Sequence, residues 1–131
     1  MTSVHAGAEP ETVDTLVHCE AVTAAPKDSL AAVAKKLGGL GIGMVVIMDD
    51  GSVAGVVSER DIVWAIANDA DLDEVWAADV MSDQLVSVEP TTPIADAAKQ
   101  MVEQNVRHLL VLYGEKPGVI SLRDVVEHLV E

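Results

Sequence analysis

The sequence predicts an α+β fold in which two βαββα units pack about a pseudo-twofold axis. Three features carry this. Residues 22–67 are written again as residues 86–130. Each copy holds apolar residues at i, i+3, i+4 and i+7, the stripe of a helix with one buried face. Each copy also holds a continuous apolar run, GMVVIM and RHLLVLY. Such runs suit strands covered on both faces.

Over the first part of the repeat the offset is 64 residues: Val22 meets Val86, Thr23 meets Ser87, Pro26 meets Pro90, Leu30 meets Ile94 and Lys35 meets Lys99. A one-residue deletion, placed in the turn, then changes the offset to 63. Gly55 meets Gly118, Ser58 meets Ser121, Arg60 meets Arg123 and Asp61 meets Asp124. Polar as well as apolar positions match, which chance does not usually preserve.

The elements follow in order. A short extended piece, around 21–23 and again around 85–88, leads to a proline. In the first unit Asp28 or Ser29 can cap a helix whose stripe is Leu30, Val33, Ala34 and Leu37. In the second Thr92 can cap, Pro93 suits the first helical position, and Ile94, Ala97, Ala98 and Met101 form the stripe. Gly38 and Gly39 read as the stop of the first helix. The apolar strand comes next. Asp50 and Gly51 mark a hairpin turn, residues 53–57 and 117–120 return, and a second helix starts at Ser58 or Ser121. Residues 1–13 lack periodicity and read as a mobile tail. The first repeat then spans 14–67, an acidic linker 68–78, and the second repeat 79–131.

Composition narrows the function. The formal net charge is −14, which repels nucleic acid and anionic membrane at long range. With two Trp, one Tyr and no Phe, a platform for stacking single-stranded bases is not available. The longest apolar run, residues 38–48, is broken by glycines and falls short of the roughly 20 residues of a membrane span. The N-terminal stretch MTSVHAGAEPE has no basic n-region and no apolar h-region, so no signal peptide is expected. The single cysteine, Cys19, rules out an internal disulfide framework and suits a reducing compartment. A cytoplasmic location is the expectation.

The sharpest motif is GVVSERD at 55–61, echoed by GVISLRD at 118–124. Each copy lies where a strand runs into a helix. Ser-x-x-Asp there is a capping-box pattern. Two details point further. Both copies use Asp where Glu or Gln is usual. Both put an arginine, Arg60 or Arg123, in the first helical turn, where the helix dipole disfavours a cation. A bound anion would explain that placement, since a helix N-terminus and a serine hydroxyl already favour one. The aspartate is then free to accept hydrogen bonds from a ribose diol, as acidic residues do in other nucleotide sites.

Gly-apolar-apolar-Ser-x-x-Asp, twice, in βαββα units, resembles the pair of cystathionine-β-synthase-type (CBS) repeats known as a Bateman module. ADVMS before the second unit resembles the family's repeat opening. NVRHLLVL and GIGMVVI resemble its central strands, and SERDIVWAIA resembles the first-repeat helix of small stand-alone bacterial members. The resemblance covers residues 15–130. It implies that Asp61 and Asp124 bind ribose hydroxyls, that Ser58 and Ser121 contact phosphate, and that Thr23 and Ser87 lie where an adenine pocket starts. The family's central-strand basic residue appears as Arg107 and His108 in the second repeat, with Gly43 and Met44 in their place in the first. Two unequal sites follow, with the stronger expected where Asp124 and Ser121 join Arg107 and His108.

Simpler roles compete for several of these residues. Arg107 is within i, i+4 reach of Glu103. A histidine at a strand start, such as His108, can be purely structural. His5, His18, His108 and His128 have no metal spacing, so no metal site is expected. Trp64 is expected in a repeat or dimer interface, and Trp76 as an anchor of the linker. There is no Ser–His–Asp arrangement, no P-loop and no activating environment for Cys19, so an enzyme is disfavoured. The expectation is a regulatory module, without a required cofactor, that senses AMP, ADP or ATP between its repeats. A homodimer and a regulated protein of unspecified identity are the expected partners. A ligand-free dimerisation module, or a pair that binds S-adenosylmethionine or NAD, remains the alternative.

Overall fold

The structure is a computed structural model that describes residues 11–18 and 20–130. In the first repeat β1 (Thr23–Ala24) leads to α1 (Leu30–Leu40), β2 (Met44–Asp49), β3 (Ser52–Ser58) and α2 (Glu59–Ala67). A short helix, α3 (Ala77–Val80), lies in the connection. The second repeat follows as β4 (Ser87–Val88), α4 (Ile94–Gln104), β5 (His108–Tyr113), β6 (Lys116–Ser121) and α5 (Leu122–Leu129). Each repeat has its own three-stranded sheet, β1-β2-β3 or β4-β5-β6. In both, the first pair is parallel and the second antiparallel. This is the predicted α+β architecture.

The central strands explain their apolar runs. Val45 and Ile47 pack with the helices of the first repeat, and Leu109 and Val111 with those of the second. The residues between them, Val46 and Leu110, point to the opposite sheet face and are just as buried.

The segment that precedes each repeat packs on the other repeat. A 3-10 turn, Val13–Leu16, precedes the first repeat, yet Val13 and Leu16 belong to the core of the second. Around α3, Leu72, Val75 and Ala77 pack against the first. The Val13 N–H donates to the Thr92 carbonyl at 2.9 Å, and the Ala77 N–H to the Asp28 carbonyl at 2.8 Å. Burying the Val13 side chain completely is worth on the order of 1.5–3 kcal/mol. The expected tail, residues 1–13, therefore ends in the packed body; residues 1–10 lie outside the description.

Local signals are realised with three differences. Ser29 caps α1, its oxygen accepting from the Ala32 N–H at 3.1 Å. Thr92 does not cap α4: Pro93 occupies the cap position, and the Ile94 N–H is satisfied by the Glu11 carbonyl at 3.0 Å. The first helix does not stop at Gly38 and Gly39. It runs through Leu40 and ends at Gly41, whose φ of 64° supplies the left-handed cap, as Asn105 does with φ of 54° in α4. The repeats differ in length because of a bulge, not the turn. Ile47 pairs with Gly55 and Met48 with Val53, which leaves Ala54 as the extra residue. The second hairpin pairs without a break.

Candidate functional site: two clefts that share a centre

Both Ser-x-x-Asp motifs form complete capping boxes. The Asp61 Oδ2 accepts from the Ser58 N–H at 2.7 Å, while the Ser58 Oγ accepts from the Asp61 N–H at 3.3 Å. In the second motif the same distances are 2.8 Å and 3.1 Å for Asp124 and Ser121. The aspartates are thus not wholly free, as the sequence suggested. Only one oxygen of each is engaged. Among the described residues the two Oδ1 atoms make no hydrogen bond. Each remaining oxygen is an acceptor held in place by the cap.

Each motif opens on a cleft completed by the other repeat. The first cleft, about 350 Å³, is lined by Ser58, Glu59, Arg60 and Asp61 together with Leu85 and Val86, and by Asn105, Val106, Arg107 and His108. The second, wider at about 1120 Å³, is lined by Ser121, Arg123 and Asp124 with Ala21, Val22 and Ile42. Gly43, Met44, Glu59, Arg107 and His108 line both.

Arg107 and His108 are therefore not confined to the Asp124 side, where the sequence expects them; they line the Asp61 cleft as well. Arg107 makes no ion pair among the described residues; Glu103 lies 3.9 Å from Lys99 instead. Arg60 is likewise unpaired among the described residues and lines the first cleft. Arg123 lines the second, but its Nε holds the Glu127 carboxylate at 2.9 Å. Glu20 and Glu127 add negative charge to the second cleft alone.

His108 stands at the centre. Burial pushes its pKa below the ordinary 6.5, the Glu59 and Asp124 carboxylates pull it back up, and Arg107 lowers it further. Neutral imidazole is the form that burial favours.

Thr23 and Ser87 line neither cleft. Val22 and Val86, one residue earlier, do, because successive residues of an extended chain face opposite sides. Glu59, which reads from the sequence as a solvated charge, lines both clefts, and Leu85, Val86 and Asn105, which the sequence does not single out as site residues, line the first. The alignment itself held a signal for Val22 and Val86, since they are its first matched pair. Among the described residues no group of three or more His, Cys, Asp or Glu side chains is gathered as for a metal ion.

Comparison with known proteins follows the same repeat. The family model described as "CBS domain" matches twice, at residues 13–68 and 77–131. An uncharacterized protein of Methanopyrus kandleri is 30% identical over 112 residues, which cover 82% of this chain. The chain spans 57% of that relative's length. Among solved structures, a CBS domain protein from Pyrobaculum aerophilum, described as complexed with AMP, superposes with a TM-score of 0.81 at 27% identity, covering 92% of this chain and 98% of that one. The CBS domain pair of protein MJ0100, described in complex with 5-methylthioadenosine and S-adenosyl-L-methionine, gives a TM-score of 0.81 at 22% identity, covering 92% and 100%.

Proposed function

The chain belongs to the CBS-domain family, and we propose that it is a regulatory module that senses an adenine nucleotide in a cleft between its two repeats. One observation carries this reading. In each cleft a capped aspartate keeps one oxygen open beside a serine at a helix N-terminus, facing the opening strand of the other repeat. The aspartate suits a ribose diol. The serine, the first-turn N–H groups and the nearby arginine suit a phosphate. The apolar walls, Val86 and Leu110 in the first cleft, suit an adenine ring. The AMP complex of the Pyrobaculum relative supports the choice of ligand.

The second cleft favours a further reading. Glu20, Glu59, Asp124 and Glu127 surround it, and a cationic adenosyl ligand such as S-adenosylmethionine would meet complementary charge there. The MJ0100 pair offers a parallel for that ligand.

We also propose a homodimer in the cytoplasm that passes ligand occupancy to a regulated protein. Trp64 is 62% exposed on α2 and Leu129 69% exposed on α5, and a second copy is the proposed cover for them. No helix among the described residues is long and apolar enough to cross a membrane.

Thermal unfolding with AMP, ADP, ATP, S-adenosylmethionine and NAD tests the ligand reading. A ligand at 100 times its Kd adds about 2.7 kcal/mol of stability, a shift of several degrees in a domain of this size. At least one adenosyl ligand should raise Tm in the natural protein and leave an Asp61→Asn, Asp124→Asn double variant unmoved. Equal shifts in both, or none in either, would refute the reading.

A further inference from the structure

We infer that the chain holds one phosphorylated nucleotide at a time, in the cleft of Asp61, because both clefts draw on a single Arg107 and a single His108. This rests on the nucleotide reading above and adds a stoichiometry and a location to it. The two clefts are copies by sequence, and two equal sites are what the repeat alone would suggest. Their charges are not copies. The position of Arg107 is occupied by Gly43 in the first repeat, and that of His108 by Met44.

Two facts assign the anion to the Asp61 side. Arg60 brings to that cleft a guanidinium unpaired among the described residues, whereas the matching Arg123 is held by Glu127 at 2.9 Å. Glu20 and Glu127 line the other cleft and not this one. A phosphate beside Asp61 thus meets two free arginines against Glu59 and Asp61. Beside Asp124, with the Arg123–Glu127 pair set aside, it would meet one arginine against three carboxylates, Glu20, Glu59 and Asp124. Once a phosphate has engaged Arg107 from the first cleft, the second has no free cation left, and the bound anion itself repels another.

Equilibrium dialysis of radiolabelled AMP against the full chain, at low salt, reads the stoichiometry. Binding should saturate at one AMP per chain. Asp61→Asn should weaken it by more than about tenfold, the effect of one charge-assisted hydrogen bond. Asp124→Asn should change it by less than about twofold. Asparagine keeps an oxygen for the capping N–H, so both variants retain the helix start, which circular dichroism verifies. Two equivalents of AMP per chain would overturn the inference and leave the nucleotide reading standing. So would one equivalent lost with Asp124→Asn and kept with Asp61→Asn. Absence of any AMP binding in a chain that binds S-adenosylmethionine would overturn the inference alone; absence of every adenosyl ligand would remove both.

Discussion

The imidazole of His108 fills the space that a side chain at Gly43 would need: a Cβ on Gly43 would lie 2.5 Å from the His108 Nε2 and 3.0 Å from the Glu59 Oε1. One residue from each repeat meets at the axis, and the smaller makes room for the larger. Gly43 is a glycine because of its neighbour, not because of its backbone.

That contact gives the first prediction. Gly43→Ala should cost about 1–3 kcal/mol, the usual penalty of overpacking. Removing the ring should relieve it, so Gly43→Ala with His108→Ala should lose less than the sum of the two single changes. A double-mutant cycle by urea unfolding should give a coupling above about 0.5 kcal/mol. Additive losses would place His108 elsewhere.

The same histidine makes stability depend on pH. Its folded pKa lies below 6.5, so between that lower value and 6.5 the unfolded chain binds more protons than the folded one. The contribution is fully present above about pH 6.5 and is lost as pH falls towards the folded value. Unfolding at pH 7.5 and 5.5 should show a smaller loss for His108→Gln than for the natural protein. Glu59→Gln removes a charge that holds the pKa up, and should enlarge the loss. An unchanged slope in both variants would count against a buried neutral imidazole.

Gly55 and Gly118 open the two motifs, and each lies under the segment that crosses from the other repeat. A Cβ on Gly55 would stand 2.8 Å from the Ser82 carbonyl oxygen, and one on Gly118 would stand 2.9 Å from the Val17 Cγ1. The Ser82 carbonyl is fixed by its bond from the Val56 N–H at 3.0 Å; a valine methyl can turn aside. Gly55→Ala should therefore destabilise by about 1–3 kcal/mol, and Gly118→Ala by less. Chemical denaturation of the pair checks the order.

The capping boxes predict a separable effect. Ser121→Ala should cost about 1 kcal/mol as a lost helix cap, with Ser121→Thr recovering most of it. Since AMP is assigned to the other cleft, its affinity should change little. Ser58→Ala should cost about as much stability and, in addition, weaken AMP binding. Melting curves and calorimetric titrations on the two alanine variants separate these outcomes.

What the sequence disclosed and what it hid divide by range. Capping at Ser58 and Ser121, the turn at Asp50 and Gly51, and the stripes of α1 and α4 are decided by residues a few positions apart, so pattern alone finds them. The end of α1 is not legible at Gly38 and Gly39 because a glycine inside a helix and a glycine at its cap look alike in sequence; of the three, Gly41 takes the positive φ. The sequence places the extra residue in the turn rather than at Ala54 within β3, because a bulge is defined by the partner strand's register. The crossing of residues 12–17 onto residues 90–93 is a contact over most of the chain, invisible to any local window. Arg107 and His108 stand out in the sequence, yet which cleft they line depends on packing between the repeats, and they line both.

If an adenine nucleotide sits between the repeats, in contact with both, titration of AMP into 15N-labelled protein will register it in the backbone amide shifts. Saturable changes are expected at Ser58 and Asp61 of the first repeat together with Val86, Arg107 and His108 of the second, all lining one cleft. No change at saturating AMP, or changes confined to the outer faces of α1 and α4, would contradict it.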